Sequence, residues 1–128
     1  MKVIVSDPIS DDGLDIFKQN NIEIIDATDI EIDENYEHIE SAKGWVIRSG
    51  TTLDASIIKK ADSLSVIGRA GVGIDNVDIS AATRKGVVVM NTPDANTISA
   101  AEHTLALILS LSRNVSIGHQ SLLAGKWD

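Results

Sequence analysis

Short apolar runs alternate with amphipathic stretches along this chain. Lys2–Ser6, Ile22–Ile25, Trp45–Arg48, Ser65–Ile67 and Val87–Met90 are brief, apolar and rich in β-branched residues, which predicts five strands. Helical patterns separate them. Ser10 is placed to cap a helix over Asp11–Asn20, with Leu14 and Phe17 three apart on one face and Asn20-Asn21 ending it. Asp26–Asp33 is acidic and irregular. Further helices are predicted over Glu34–Ala42 (carrying Tyr36 and Ile39), over Asp54–Ala61 (with Ile57 and Ile58 inward) and over Ile79–Lys85, closed by Gly86. A long helix rich in alanine and leucine runs from about Ser99 to Arg113. Strands alternating with helices predict an open α/β fold: a parallel sheet in the flavodoxin-like order 2-1-3-4-5, with helices on both faces. After Thr104 the long helix is apolar nearly all round, which predicts burial on more than one side. It is either the centre of this domain or the contact with a second domain or subunit.

The stretch VIGRAGVGIDNVD, Val66 to Asp78, carries the most information. The fourth strand breaks there into Gly68, Gly71 and Gly73, with Arg69 among them. Outward backbone N–H groups beside a guanidinium suit a carboxylate or phosphate. The spacing is not a dinucleotide fingerprint. G-x-G-x-x-G counted from Gly71 requires glycine where Asn76 stands, and counted from Gly68 it requires glycine where Ala70 stands. The plainer reading is three glycines punctuating a tight turn.

Ligands of open parallel sheets lie outside the carboxyl ends of the strands. Three polar clusters fall at such ends: Arg48-Ser49, Arg69 to Gly73, and Asn91 to Asn96. They should meet at one edge, where two arginines and backbone amides favour an anion held by a bidentate fork.

Composition narrows the classes. The 128 residues suffice for one domain with a real core; 43% are hydrophobic but only 3% aromatic, so that core is aliphatic. No cysteine is present, which excludes disulfides and thiolate metal sites and favours a cytosolic setting. No apolar run reaches membrane-spanning length, and the apolar run at the N-terminus is too short for a signal peptide. The net charge of −8 lies in the first half: residues 1–64 hold 14 acids against 6 bases, residues 65–128 hold 5 of each. That balance argues against nucleic acid as a partner. Asp75, Asn76 and Asp78 offer too few carboxylates for an oxygen-ligand metal loop, so no metal site is expected, and Asp7, Asp75 and Asp78 read as caps of turns and helices. His103 follows Glu102 on a helix, where sequence neighbours do not face each other, and His38 and His119 have no visible partner.

Several segments, in order and spacing, carry a family resemblance: Arg48-Ser49-Gly50-Thr51, Val66 to Asp78, Ala81 to Val87, Asn91 to Thr97, Ala100 to Thr104 and Gly125-Lys126-Trp127-Asp128. Together they resemble the D-isomer-specific 2-hydroxyacid dehydrogenases over nearly the whole chain, densely from Trp45 onward. The resemblance implies a flavodoxin-like substrate-binding domain over residues 1–96. It makes residues 97–128 the long interdomain helix and the start of a passage to a dinucleotide-binding domain beyond Asp128. It implies NAD as cofactor, a small anionic 2-hydroxy acid as substrate, and a homo-oligomeric, cytoplasmic full-length enzyme. It further implies that Arg48 and Ser49 meet the substrate's phosphate or carboxylate end. Gly71, Val72 and Gly73 would hold a carboxylate through their amides, Val72 would touch the nicotinamide, Asn96 would line the pocket and Arg69 its rim. The family's catalytic arginine, glutamate and histidine match no residue here, so this chain alone should be inactive. The Arg-Ala-Gly-Val-Gly form of the loop leans toward members that oxidise 3-phosphoglycerate in serine biosynthesis. Glyoxylate or hydroxypyruvate is the alternative substrate, and a non-catalytic small-acid-binding module the alternative role.

Overall fold

The structure, a computed structural model, describes residues 1–33 and 36–127. The chain divides into two units, Met1–Ala95 and Asn96–Asp128. The first holds β1 (Lys2–Val5), α1 (Asp11–Gln19), β2 (Glu23–Asp26), β3 (Gly44–Ile47), α2 (Ala55–Lys60), β4 (Val66–Arg69), α3 (Ile79–Lys85) and β5 (Val88–Asn91). The strands form one parallel sheet in the order β2-β1-β3-β4-β5, the order predicted from the alternation of elements.

Side-chain alternation sorts the sheet into two faces. Ile4, Trp45 and Ile67 lie in register across β1, β3 and β4 and are fully buried. Ile57 and Ile58 of α2 and Ala81 and Ala82 of α3 belong to the same core. On the opposite face Val3 and Val5 are buried, Val46 and Val66 half-buried, and Val88 and Met90 more than half exposed. That face opens toward β5, and a Cβ on Gly68 would meet nothing within 4 Å.

The helices start where a short polar side chain takes the orphan N–H groups. Ser10 Oγ accepts from Gly13 N–H (3.4 Å), Asp54 Oδ1 from Ser56 and Ile57 N–H (2.9 and 3.0 Å), and Asp78 Oδ1 from Ala81 N–H (2.8 Å). The Ile57 N–H, with Ser56, holds the Asp54 carboxyl below the usual carboxylate range. Gly86 closes α3 in the left-handed conformation (φ 75°), which only glycine adopts freely. Lys85 Nζ donates to the carbonyls of Ile58 and Lys59 (2.7 and 2.6 Å) and so ties α3 to the end of α2.

Two expectations need correction. β4 runs through Gly68 to Arg69, two residues further than predicted, because its backbone pairs with β3 and β5 whatever the side chains are. The helix expected over Glu34–Ala42 is a succession of turns from Glu37 to Ser41 (Glu34 and Asn35 lie outside the described residues). Tyr36, Ile39 and Ser41 N–H bond three residues back, and the Glu40 carbonyl is taken by Ser63 N–H, so no helical ladder can extend. The long helix predicted from about Ser99 to Arg113 is present, and it leaves apolar side chains exposed.

That helix, α4 (Thr97–Ser112), forms the second unit with α5 (Val115–Leu123); the two pack on each other across a left-handed Asn114. Ile98, Leu105, Leu111 and Leu123 are each at least 60% exposed. No helix among the described residues is long and apolar enough to cross a membrane.

Candidate functional site

A parallel sheet delivers the loops after β3, β4 and β5 to one edge. The loop after β3, Arg48–Thr51, is anchored from β1. Asp7, buried just past that strand, accepts the N–H groups of Arg48 and Thr51 on a single oxygen, Oδ2 (2.6 and 3.0 Å). The Thr51 hydroxyl lies 3.0 Å from Ser6 Oγ and 3.3 Å from the Ser6 carbonyl, and Trp45 Nε1 donates to Ser6 Oγ (3.0 Å). Arg48 Nη1 donates to the Pro8 carbonyl (3.3 Å), and its guanidinium stays exposed. A cleft of about 360 Å³ lined by Pro8, Ile9, Ser10, Arg48 and Ala70 joins this loop to the next one. Ser49 is exposed at the tip.

The loop after β4 is built around its arginine. Ala70 N–H donates to the Ile47 carbonyl and Gly71 N–H to the Arg69 carbonyl (both 2.8 Å), closing a tight turn. The Arg69 side chain folds over that turn. A Cβ on Gly71 would collide with its guanidinium, and a Cβ on Gly73 would lie 2.8 Å from Asp75 Oδ1 and 3.9 Å from Arg69 Nη2. The glycines therefore make room for charge. Neither has a positive φ, so the loop is not an anion nest of alternating right- and left-handed residues. The Gly71 N–H is spent internally, whereas those of Val72 and Gly73 make no hydrogen bond among the described residues. Val72 is exposed.

Two asparagine side chains sew the loops together. Asn76 Nδ2 donates to the carbonyls of both Arg48 (2.6 Å) and Thr51 (2.5 Å). Asn91 Nδ2 donates to the Val72 carbonyl (2.8 Å), beside a Thr92 N–H to Gly71 carbonyl bond (3.0 Å). Arg69 Nε and Asn76 Oδ1 are buried without a partner, two unsatisfied polar atoms in one small region.

Arg48 and Ser49 thus lie on one loop and Arg69, Gly71, Val72 and Gly73 on the next, at the same sheet edge. Asn96 lies in the second unit at the N-cap position of α4, where its side chain makes no capping bond. Sequence reasoning missed Asn76 and Asn91 as loop clamps and saw Asp7 only as a cap. Asp7 was the most accessible of these, being a polar residue directly after a strand like the three clusters that were recognised.

Comparison with known proteins agrees with this architecture. The family described as D-isomer specific 2-hydroxyacid dehydrogenase, catalytic domain, matches residues 3–124. A D-3-phosphoglycerate dehydrogenase from Archaeoglobus fulgidus is 43% identical over 128 residues, covering 100% of this chain but 24% of the relative. The chain thus spans about a quarter of the length of the curated relatives it matches. Among solved structures, the NAD+-bound 3-phosphoglycerate dehydrogenase of Entamoeba histolytica superposes with a TM-score of 0.70 at 30% identity, covering 86% of this chain and 38% of that one. An NADPH-dependent glyoxylate/hydroxypyruvate reductase from Sinorhizobium meliloti, in complex with NADP and malonate, superposes with a TM-score of 0.80 at 27% identity, covering 98% and 39%.

Proposed function

The chain belongs to the D-isomer specific 2-hydroxyacid dehydrogenase family, and on that premise we propose that it binds the anionic end of 3-phosphoglycerate for an NAD-dependent dehydrogenase. The observation that carries this reading is the meeting of the Arg48 loop and the Arg69–Gly73 loop at one sheet edge, joined by the Arg48–Ala70 cleft. Arg48 offers a guanidinium fork and Ser49 a hydroxyl to the phosphate. The amides of Val72 and Gly73, under the Arg69 charge, face the carboxylate. In the whole enzyme the hydroxyl-bearing carbon is oxidised to a ketone, the first step of serine biosynthesis, in the cytoplasm.

NAD supplies the hydride acceptor when bound. Support for placing most of it elsewhere comes from α3, the helix that follows the glycine loop. One of its N-terminal N–H groups, that of Ala81, is already held by the Asp78 carboxylate, a negative charge where a pyrophosphate would need donors. The family resemblance gives the glycine loop only the nicotinamide edge, at Val72, which is exposed. This chain alone should give no NADH from 3-phosphoglycerate and NAD.

The test is calorimetric titration of the chain with 3-phosphoglycerate and with D-glycerate. Tighter binding of the phosphorylated acid, lost in Arg48→Ala, is the expected result. Equal binding of the two acids before mutation would refute the phosphate role and favour an unphosphorylated acid, the class to which the malonate in the reductase complex belongs.

A further inference from the structure

We infer that Asp7 and Asn76 are positioning residues that set how Arg48 and Ser49 face the substrate; the inference rests on the reading that those two residues bind its anionic end. The Arg48–Thr51 turn has two end residues, and each end offers one N–H and one carbonyl. Asp7 Oδ2 accepts both N–H groups, and Asn76 Nδ2 donates to both carbonyls. Two side chains, reaching in from β1 and from the glycine loop, thus account for all four backbone groups at the ends of the turn. Ser49 and Gly50 are left as its free tip.

The fit at each side chain is specific. A Cβ on Gly50 would collide with Asp7 Oδ1, so the carboxylate packs directly under the tip. Asn76 uses its amide nitrogen twice while its oxygen lies buried without a partner. A buried oxygen left unpaired is costly, so the residue is held there for its donors. Its backbone joins the same clasp: Leu53 N–H donates to the Asn76 carbonyl and Asp78 N–H to the Leu53 carbonyl (both 2.9 Å). The arginine loop and the glycine loop therefore move as one body. A change at Asn76 should alter anion binding although Asn76 touches no anion.

The experiment titrates the ¹⁵N-labelled chain with 3-phosphoglycerate at fixed ionic strength and follows backbone amide shifts. Asn76→Ala is expected to weaken binding about tenfold, the loss of two modest hydrogen bonds in positioning energy, with shifts preserved outside residues 48–53 and 71–78. Asp7→Asn keeps an oxygen acceptor and should retain wild-type affinity or exceed it, because a negative charge near the anion is removed. Asp7→Ala should lose affinity. A merely structural role would lower stability in all three and leave the affinity of the folded fraction unchanged, which would overturn the proposal. Arg48→Ala separates the two readings. Weakening in Arg48→Ala but not in Asn76→Ala sinks the clasp alone. Wild-type affinity in Arg48→Ala, or no binding by the wild type, sinks the substrate reading and the clasp with it. Amide relaxation checks the clasp without ligand: Ser49 and Gly50 should be as ordered as strand amides in the wild type and looser in Asp7→Ala or Asn76→Ala. Unchanged order in a folded variant would overturn the proposal.

Discussion

Replacing Gly71 by alanine puts a methyl group where the Arg69 guanidinium lies. The group that must give is the far end of a flexible side chain, and the Gly71 backbone has no positive φ, so the turn itself can persist. The stability cost should stay within about 1 kcal/mol, partly offset by the stiffer unfolded chain that alanine brings. Binding should suffer more. Moving a guanidinium from roughly 4 to roughly 8 Å from an anion, at an effective dielectric constant of about 20 to 40, removes about 1–2 kcal/mol of attraction. That corresponds to about five- to thirtyfold in affinity. Paired calorimetric titrations with 3-phosphoglycerate and urea unfolding curves read both quantities. Because the lost term is electrostatic, the wild type should lose affinity with added salt more steeply than Gly71→Ala. Equal affinities and equal salt slopes would refute the role of Arg69. A stability loss above about 3 kcal/mol would show that the backbone, not the arginine, had moved.

Three further substitutions probe the frame. Asp54→Ala removes the α2 cap and should cost about 1 kcal/mol at neutral pH. Because Ile57 N–H and Ser56 hold that carboxyl below its ordinary range, its contribution is complete above about pH 4 and fades as pH falls through the folded value. Urea midpoints of variant and wild type should therefore converge in acid, and a constant difference down to about pH 2 would contradict the capping role. Gly86→Ala forces a side chain into the left-handed C-cap (φ 75°) and should cost about 1 kcal/mol by the same assay, although its Cβ has open space. Ile67→Ala, at a fully buried site in the middle of the sheet, should cost about 2–5 kcal/mol in thermal or urea unfolding; a smaller loss would mean that the core collapses around it.

The strand order was legible because alternating short apolar runs and helical patterns leave few parallel arrangements, and short loops forbid most of those. Ser10 and Gly86 were legible because caps are chemical signals read one residue at a time. The extent of β4 was not, because Gly68 reads as a breaker in sequence while its backbone pairs with Val46 and Met90. The segment from Glu37 to Ser41 shows the converse. Its apolar spacing suits a helix, but tertiary bonds such as Ser63 N–H to the Glu40 carbonyl take the groups that a helix would need. At the candidate site the arginines stood out against an acidic chain, and position after a strand singled out Ser49 and the glycines. Asn76 could not stand out. Its role depends on two carbonyls more than twenty residues earlier, and only the β3–β4 pairing brings them within reach.

On the proposed reading, a chain of net charge −8 meets an anionic ligand through local donors. At distances beyond a Debye length, about 8–10 Å at physiological salt, exposed carboxylates are screened and neither repel nor steer strongly. Within that distance the outcome is set by which backbone groups are already satisfied. The Arg48–Thr51 turn is held at its ends by Asp7 and Asn76, and the glycine loop gives up its Gly71 N–H to Arg69 and two of its carbonyls to Asn91 and Thr92. Each of those bonds consumes a group that could otherwise meet the ligand, and most of the groups consumed are acceptors. Among the described residues the amides of Val72 and Gly73, the exposed Ser49–Gly50 tip and the two guanidiniums remain. On the proposed reading, the free amides of Val72 and Gly73 together with the two guanidiniums would favour an anion over a cation or a neutral polyol, even on a protein whose overall charge points the other way.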